Sequence, residues 1–211
     1  MIKKVVIIFK THLDIGYTDL AGKVADNYLN VYIPKAIDLA YKYKDTNTPF
    51  VWTTGAWLIY EGLKRGVPKL EQAINDGLIV WHGLPFTSHT ELMNGELFEY
   101  GLSISQRLDE QFGKKTISAK MTDVPGHTRG MIPYLAKAGI EFLHIGVNEV
   151  AAKPDVPNAF IWQCGESSIR VVYNQGGYGG DLVFGETAIV FAHTNDNLGP
   201  QSEEGLLAVY Q

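Results

Sequence analysis

Residues 4–14 read KVVIIFKTHLD, and the way this run ends decides the fold. Val5–Phe9 is a continuous stretch of β-branched and aromatic residues. That is the pattern of a strand covered on both faces in a parallel sheet, not of a half-exposed one. Lys10 closes the apolar run, and His12 and Asp14 follow at once. The same order, a short apolar strand and then polar residues, recurs along the chain. Phe50–Thr53, Leu78–Trp81, Ile117–Met121 and Phe142–Ile145 read as strands. Phe160–Gln163 and Ile169–Tyr173 read as a hairpin or two short strands around Gly165, and Ile189–Ala192 as a last strand.

Helical spacing fills the gaps. Thr18 caps a predicted helix carrying Leu20, Val24 and Tyr28, and Pro34 restarts it through Ile37 and Tyr41. Trp57–Leu63 and Pro68–Asn75 are short helices, the second stopped by Gly77. Gly95–Phe112 is a long one, with Leu97, Tyr100, Ile104 and Leu108 on one stripe and Gly113 at its end. Met131–Ala138 is closed by Gly139. A β-then-α rhythm predicts an α/β fold with a parallel sheet, either doubly wound or a closed barrel. Polar residues follow many of the strands instead of clustering at one crevice, which favours a (β/α) barrel of seven strands.

The 211 residues are 45% hydrophobic and 19% charged, with a mean hydropathy of −0.04. This is the balance of a globular protein with a sizeable core, and it excludes disorder, collagen-like repeats and a membrane-spanning stretch. A formal charge of −5 gives no electrostatic reason for a nucleic-acid or anionic-membrane partner. Cys164 is the sole cysteine, so nothing demands an oxidising compartment. Val5–Phe9 is too short for the apolar core of a signal peptide, so the expected location is cytoplasmic. The length suits one domain over residues 1–211, and neither a linker nor a repeat interrupts it.

Five stretches carry candidate chemistry. In Thr11-His12-Leu13-Asp14, an imidazole and a carboxylate are two positions apart in extended chain, so both project to one side. They suit a metal such as zinc at an open site; otherwise Asp14 caps the turn at Ile15-Gly16. In Met121-Thr122-Asp123-Val124-Pro125-Gly126-His127-Thr128, Pro125 and Gly126 make a tight turn that holds Asp123 at a strand mouth. Asp123 is there a nucleophile, a metal ligand or a helix cap. Ala192-His193-Thr194-Asn195-Asp196 offers another imidazole ligand, with Asp196 as its outer hydrogen-bond partner, or a plain strand-end histidine. Gln175–Asp181 is glycine-rich but has no phosphate-cradle pattern. Its glycines bring backbone close to a flat substrate such as a sugar ring and present Asp181, or else form a flexible loop. His82–Glu91 is long for a βα connection and could line a subsite, with Glu91 a second candidate acid. A G-x-S-x-G elbow is absent, and Cys164 has no nearby basic helper.

The KTHLDIGYTDL, KMTDVPGHTRG and AHTNDNLGPQS runs, in this order with the glycine-rich loop between the last two, resemble glycoside hydrolase family 38 α-mannosidases. They resemble still more an uncharacterised bacterial family related to those enzymes. The resemblance implies a seven-stranded (β/α) barrel holding one zinc ion on His12, Asp14, Asp123 and His193. It also implies that Asp123 is the nucleophile of a retaining glycosidase acting on an α-linked sugar. Asp181 is the expected acid/base, with Glu91 in reserve. His82, His89, His127, Arg129 and Tyr178 are the expected carbohydrate contacts. The turn reads DVPGH where the mannosidases commonly have DPFGH. Relatives carry this barrel as the N-terminal part of a longer protein, so the chain is expected to be such a part.

Two other functions compete. A metal-dependent carbohydrate deacetylase uses a related barrel, but usually places two histidines four or five residues apart, and no such pair occurs here. A non-catalytic carbohydrate-binding protein would have no need of Asp123 on a constrained turn.

Overall fold

The computed structural model describes residues 1–124 and 126–211. The turn-setting role expected of Pro125 lies outside the described residues. Strand β1 (Lys4–His12) leads to α1 (Ala21–Asn27), a π-helical turn (Tyr28–Tyr32) and α2 (Ile33–Tyr43). Then come β2 (Trp52–Gly55), α3 (Ala56–Lys64), α4 (Leu70–Asn75) and β3 (Ile79–His82). A 3₁₀ turn (Thr90–Leu92) precedes α5 (Gly95–Phe112), β4 (Ser118–Asp123), α6 (Met131–Lys137) and β5 (Phe142–Val147). The last elements are β6 (Ala159–Cys164), β7 (Ser167–Asn174), β8 (Gly180–Phe184), β9 (Thr187–Asp196) and α7 (Glu203–Val209).

The strands form two sheets, ordered β3-β2-β1-β9-β8 and β4-β5-β7-β6. β1 runs parallel to β2 and β9, and β5 runs parallel to β4 and β7. The edge strands β8 and β6 are antiparallel to β9 and β7. The fold is thus α/β with mixed, mostly parallel sheets, where the expected barrel is one of parallel strands. Both antiparallel edges have a local cause. Gly165-Glu166 and Gly185-Glu186 are two-residue connections whose glycines sit at φ 60° and 57°, the left-handed conformation that tight hairpins need. The expected hairpin around Gly165 is present. The one around Gly185 adds β8, which the sequence reading left as loop.

The chain packs as two units. Met1–Thr54, Leu58–Val80 and Gly180–Gln211 form the first, and Gly55–Trp57 with Trp81–Gly179 the second. In the first, Phe9, Phe50 and Trp52 are fully buried with Ile37 and Ala40 of α2, and the Phe9 and Phe50 rings stack 5.0 Å apart. Only the C-terminal half of β1 is covered; Lys4 and Val5 are exposed. Thr18 does not cap α1, which begins without a side-chain cap.

In the second unit, α5 and α6 cover β4, β5 and β7 through Phe98, Leu102, Met121, Leu135, Leu143 and Val171. Asn94 caps α5 through its side chain, 2.9 Å from the Leu97 amide, and Gly113 ends the helix at φ 61°. The buried stripe of α5 is Phe98, Leu102, Ser105 and Leu108 with Ile104. Leu97 and Tyr100, expected on it, are 54% and 61% exposed. Ile104 and Leu108 are buried as expected, while in the first half of the helix Phe98 and Leu102 take the buried face in place of Leu97 and Tyr100.

Candidate metal centre and carboxylate turn

In the first unit, parallel pairing brings the C-terminal ends of β1 and β9 to one edge of the sheet. Register runs from Lys4 opposite Thr187 to Thr11 opposite Thr194, then slips, so that His12 faces Asp196 instead of Asn195. A bulge of this kind re-aims side chains at the end of a ladder. Here it sets Asp196 beside His12. His12, Asp14 and Asp196 each offer a ligand atom, all within 4.8 Å of one another. His12 is fully buried, and its Nε2 lies 2.8 Å from Asp14 Oδ1. Ligand atoms around a tetrahedral zinc sit about 3.4 Å apart, so small side-chain rotations convert this hydrogen-bonded pair into two ligands. One imidazole and two carboxylates form a borderline-to-hard donor set that fits zinc and leaves positions open for substrate oxygens.

The backbone around the group is held by Asn197, in the left-handed conformation at φ 51° that Asn tolerates. Its side-chain Oδ1 accepts from the Asp14 amide at 3.0 Å and its Nδ2 donates to the Asp14 carbonyl at 2.9 Å. The same Nδ2 donates to Thr18 Oγ1 at 2.6 Å, which is what Thr18 does in place of capping. The Asn197 amide donates to the His12 carbonyl at 3.0 Å. That carbonyl also accepts from Tyr28 Oη at 3.1 Å. Burial raises the Tyr28 hydroxyl well above the ordinary phenol range, so it stays protonated and donating.

His193 pairs in register with Lys10. By strand alternation it is on the His12 face of the sheet. It is not among the three residues of the close group. Lys10 is buried, its ammonium 4.7 Å from the Phe191 ring centroid. Asp181 is on edge strand β8, opposite Val190 and exposed.

In the second unit, Asp123 ends β4 at φ 73°, a conformation rare for a residue with a Cβ. Its Oδ1 accepts from Asn148 Nδ2 at 2.8 Å and from Tyr178 Oη at 2.5 Å. Two donors on one oxygen fix the orientation of the carboxylate. Tyr178 reaches Asp123 from the glycine-rich loop, which lies directly on β5 at Gly146. A Cβ on Gly146 would stand 2.7 Å from Tyr178 Cα and 2.9 Å from the Gly177 carbonyl oxygen.

The expected carbohydrate contacts divide. His82 is buried and its Nδ1 accepts from the Leu84 amide at 3.3 Å, a turn-closing role. His89 and Arg129 are exposed. His127 Nδ1 lies 3.3 Å from Thr90 Oγ1, which also accepts from the Thr128 amide at 3.1 Å. Burial, with a smaller contribution from His89, lowers the His127 pKa to about 4. Glu91 is exposed on the 3₁₀ turn.

Of the residues singled out in the sequence, the structure brings His12 and Asp14 together and sets Tyr178 on Asp123. Sequence reasoning placed Asp196 behind His193 as an outer partner, whereas the bulge puts Asp196 in the close group itself. Asn197 was missed, although an Asn two residues before a Gly after a strand is a turn signal.

No family model matches the chain, and no curated protein matches it in sequence. Solved structures match it in fold. An α-mannosidase from Enterococcus faecalis V583 is 11% identical at a TM-score of 0.75, over 99% of this chain and 27% of that one. A 4-α-glucanotransferase from Thermococcus litoralis is 12% identical at a TM-score of 0.64, over 98% of this chain and 35% of that one. A glycosyl hydrolase family 38 protein from Enterococcus faecalis is 11% identical at 0.58, over 82% of this chain and 19% of that one. The chain therefore has the fold of part of these glycoside-processing proteins and spans about a third of their length or less. Among the described residues, no helix is long and apolar enough to cross a membrane.

Proposed function

We propose that this chain is the catalytic part of a metal-dependent, retaining glycosidase that acts on an α-linked sugar. The observation that carries the reading is the His12, Asp14 and Asp196 group, assembled where two parallel strands end. The fold likeness to an α-mannosidase and a 4-α-glucanotransferase supports it. His12, Asp14 and Asp196 hold the metal in this reading, with His193 next along the same face and Asp123 in the ligand role the resemblance implies for it. A bound zinc would supply a Lewis acid that binds adjacent sugar hydroxyls and helps hold the ring in a distorted shape.

The protein's own groups do the rest. The ionised Asp123 carboxylate attacks the anomeric carbon while the bond to the leaving oxygen breaks. A carboxylic acid, Asp181 or Glu91, gives that oxygen its proton. Water then attacks the glycosyl ester and yields its proton to the same carboxylate, which frees Asp123. Asn148 and Tyr178 aim the nucleophile by donating to its Oδ1. His82, His89, His127, Arg129 and Tyr178 are the side chains from which sugar contacts would come.

Metal analysis and turnover test this together. Asp196→Ala should lose most of the bound zinc, and Asp123→Asn should lower turnover of an aryl α-glycoside by about 10³-fold or more while the fold persists. Full turnover by Asp123→Asn overturns the nucleophile assignment. A full complement of zinc in Asp196→Ala, with loss in His193→Ala, moves the ligand role to His193. Release of acetate from an acetylated glycan, with no reducing sugar, would favour a deacetylase instead.

A further inference from the structure

Parallel neighbours such as β5 and β7 need a crossover connection, which a helix usually makes while covering the sheet face. Here residues 148–158 and edge strand β6 make the crossover, with no helix among the described residues. Ile145, Val147 and Tyr173 stand on the face such a helix would cover. They line a cavity of 640 Å³ whose other apolar walls include Val156, Phe160 and Trp162. That volume falls within the roughly 300–1,000 Å³ of small-molecule sites.

Glu91 and Lys153, both exposed, also line the cavity, and among the described residues the one polar side chain that buries an unpartnered atom there is His127. His127 lines it, and its Nε2 is buried with no hydrogen-bond partner among the described residues. Burial keeps this ring neutral at physiological pH. A buried ring nitrogen without a partner is unfavourable and is normally satisfied by a bound molecule. A charged partner is disfavoured against these apolar walls, whereas a hydroxyl can donate or accept and so suits either tautomer of the neutral ring.

We propose that this cavity binds a small, mainly aromatic or aliphatic alcohol or phenol, its hydroxyl on His127 Nε2 and its apolar body between Val147, Val156 and Trp162. All the lining residues belong to the second unit. Two of them, His127 and Glu91, also have roles in the proposed glycosidase site, so binding is read with a neutral probe, apart from turnover.

The test uses metal-free full-length chain and the neutral fluorescent probe N-phenyl-1-naphthylamine. Its emission should rise to saturation at one equivalent. Val156→Trp, which fills the cavity, should weaken the probe about tenfold or more without lowering the melting temperature. Ala152→Trp gives the same readout if the first variant fails to fold. In competition, 2-naphthol should displace the probe about fivefold better than 2-methylnaphthalene, and His127→Leu should abolish that preference. Absence of saturable probe binding, or unchanged affinity in folded cavity-filling variants, overturns the site. A hydroxyl preference that survives in His127→Leu overturns the role of His127.

Discussion

His127 shows how one ring can tie stability to acidity. Its folded pKa is near 4 because burial disfavours the imidazolium, with His89 adding repulsion. An unfolded histidine titrates near 6.5, so between about pH 6.5 and 4 the unfolded chain binds a proton that the folded chain does not. The sign follows directly. The stabilising contribution is complete above the unfolded value and is lost as pH falls through the window, by about 3 kcal/mol at most. Urea unfolding at pH 7 and pH 4.5 should show this loss in the wild type and a distinctly smaller one in His127→Gln. Equal losses in the two proteins would locate the acid sensitivity elsewhere. Asp123 carries the other residue-scale lesson. Its motif was plain in the sequence, but its positive φ and the two donors on Oδ1 depend on side chains 25 and 55 positions away.

At the scale of elements, much was legible because each strand is short, apolar and closed by turn residues. The runs at Phe142–Ile145 and Ile169–Tyr173 fall inside β5 and β7 with boundaries shifted by one or two residues. What escaped depends on pairing. The slip between Thr11 and His12 has no sequence mark, and it alone decides whether Asn195 or Asp196 stands beside His12. Edge strand β8 was lost because Gly-Tyr-Gly-Gly reads as loop and only the Gly185 turn betrays a hairpin. The first half of the α5 stripe was misjudged because Leu97 and Phe98 are both apolar, and packing against the sheet chose between them. Gly146 yields an element-scale prediction. In Gly146→Ala the new methyl meets the backbone of the glycine-rich loop, which cannot yield as a side-chain tip does. The substitution should cost about 1–3 kcal/mol in urea unfolding and free Tyr178 from Asp123. Wild-type stability in that variant would show that the loop lifts away without penalty.

For the whole molecule, a ligand that binds only the folded state raises stability in proportion to the logarithm of its concentration. Zinc at about 100 times its dissociation constant should add about 2.7 kcal/mol and raise the melting temperature. A chelator should reverse the rise, and His12→Ala should abolish it. Identical melting with zinc and with chelator would remove the metal centre from the proposal. The centre joins the start of the chain to a segment near its other end: Asp14 and Asn197, which hold each other through two hydrogen bonds, are 183 positions apart. Synthesis on the ribosome gives this separation a temporal meaning. The first strand emerges early and must wait, with its histidine unmatched, until nearly all of the sequence described here has been translated. Contacts so distant close slowly and leave an unpaired strand exposed to wrong neighbours in the interim. Any loading of metal on this group would thereby be a late event, one that only a chain with both strands in place could complete.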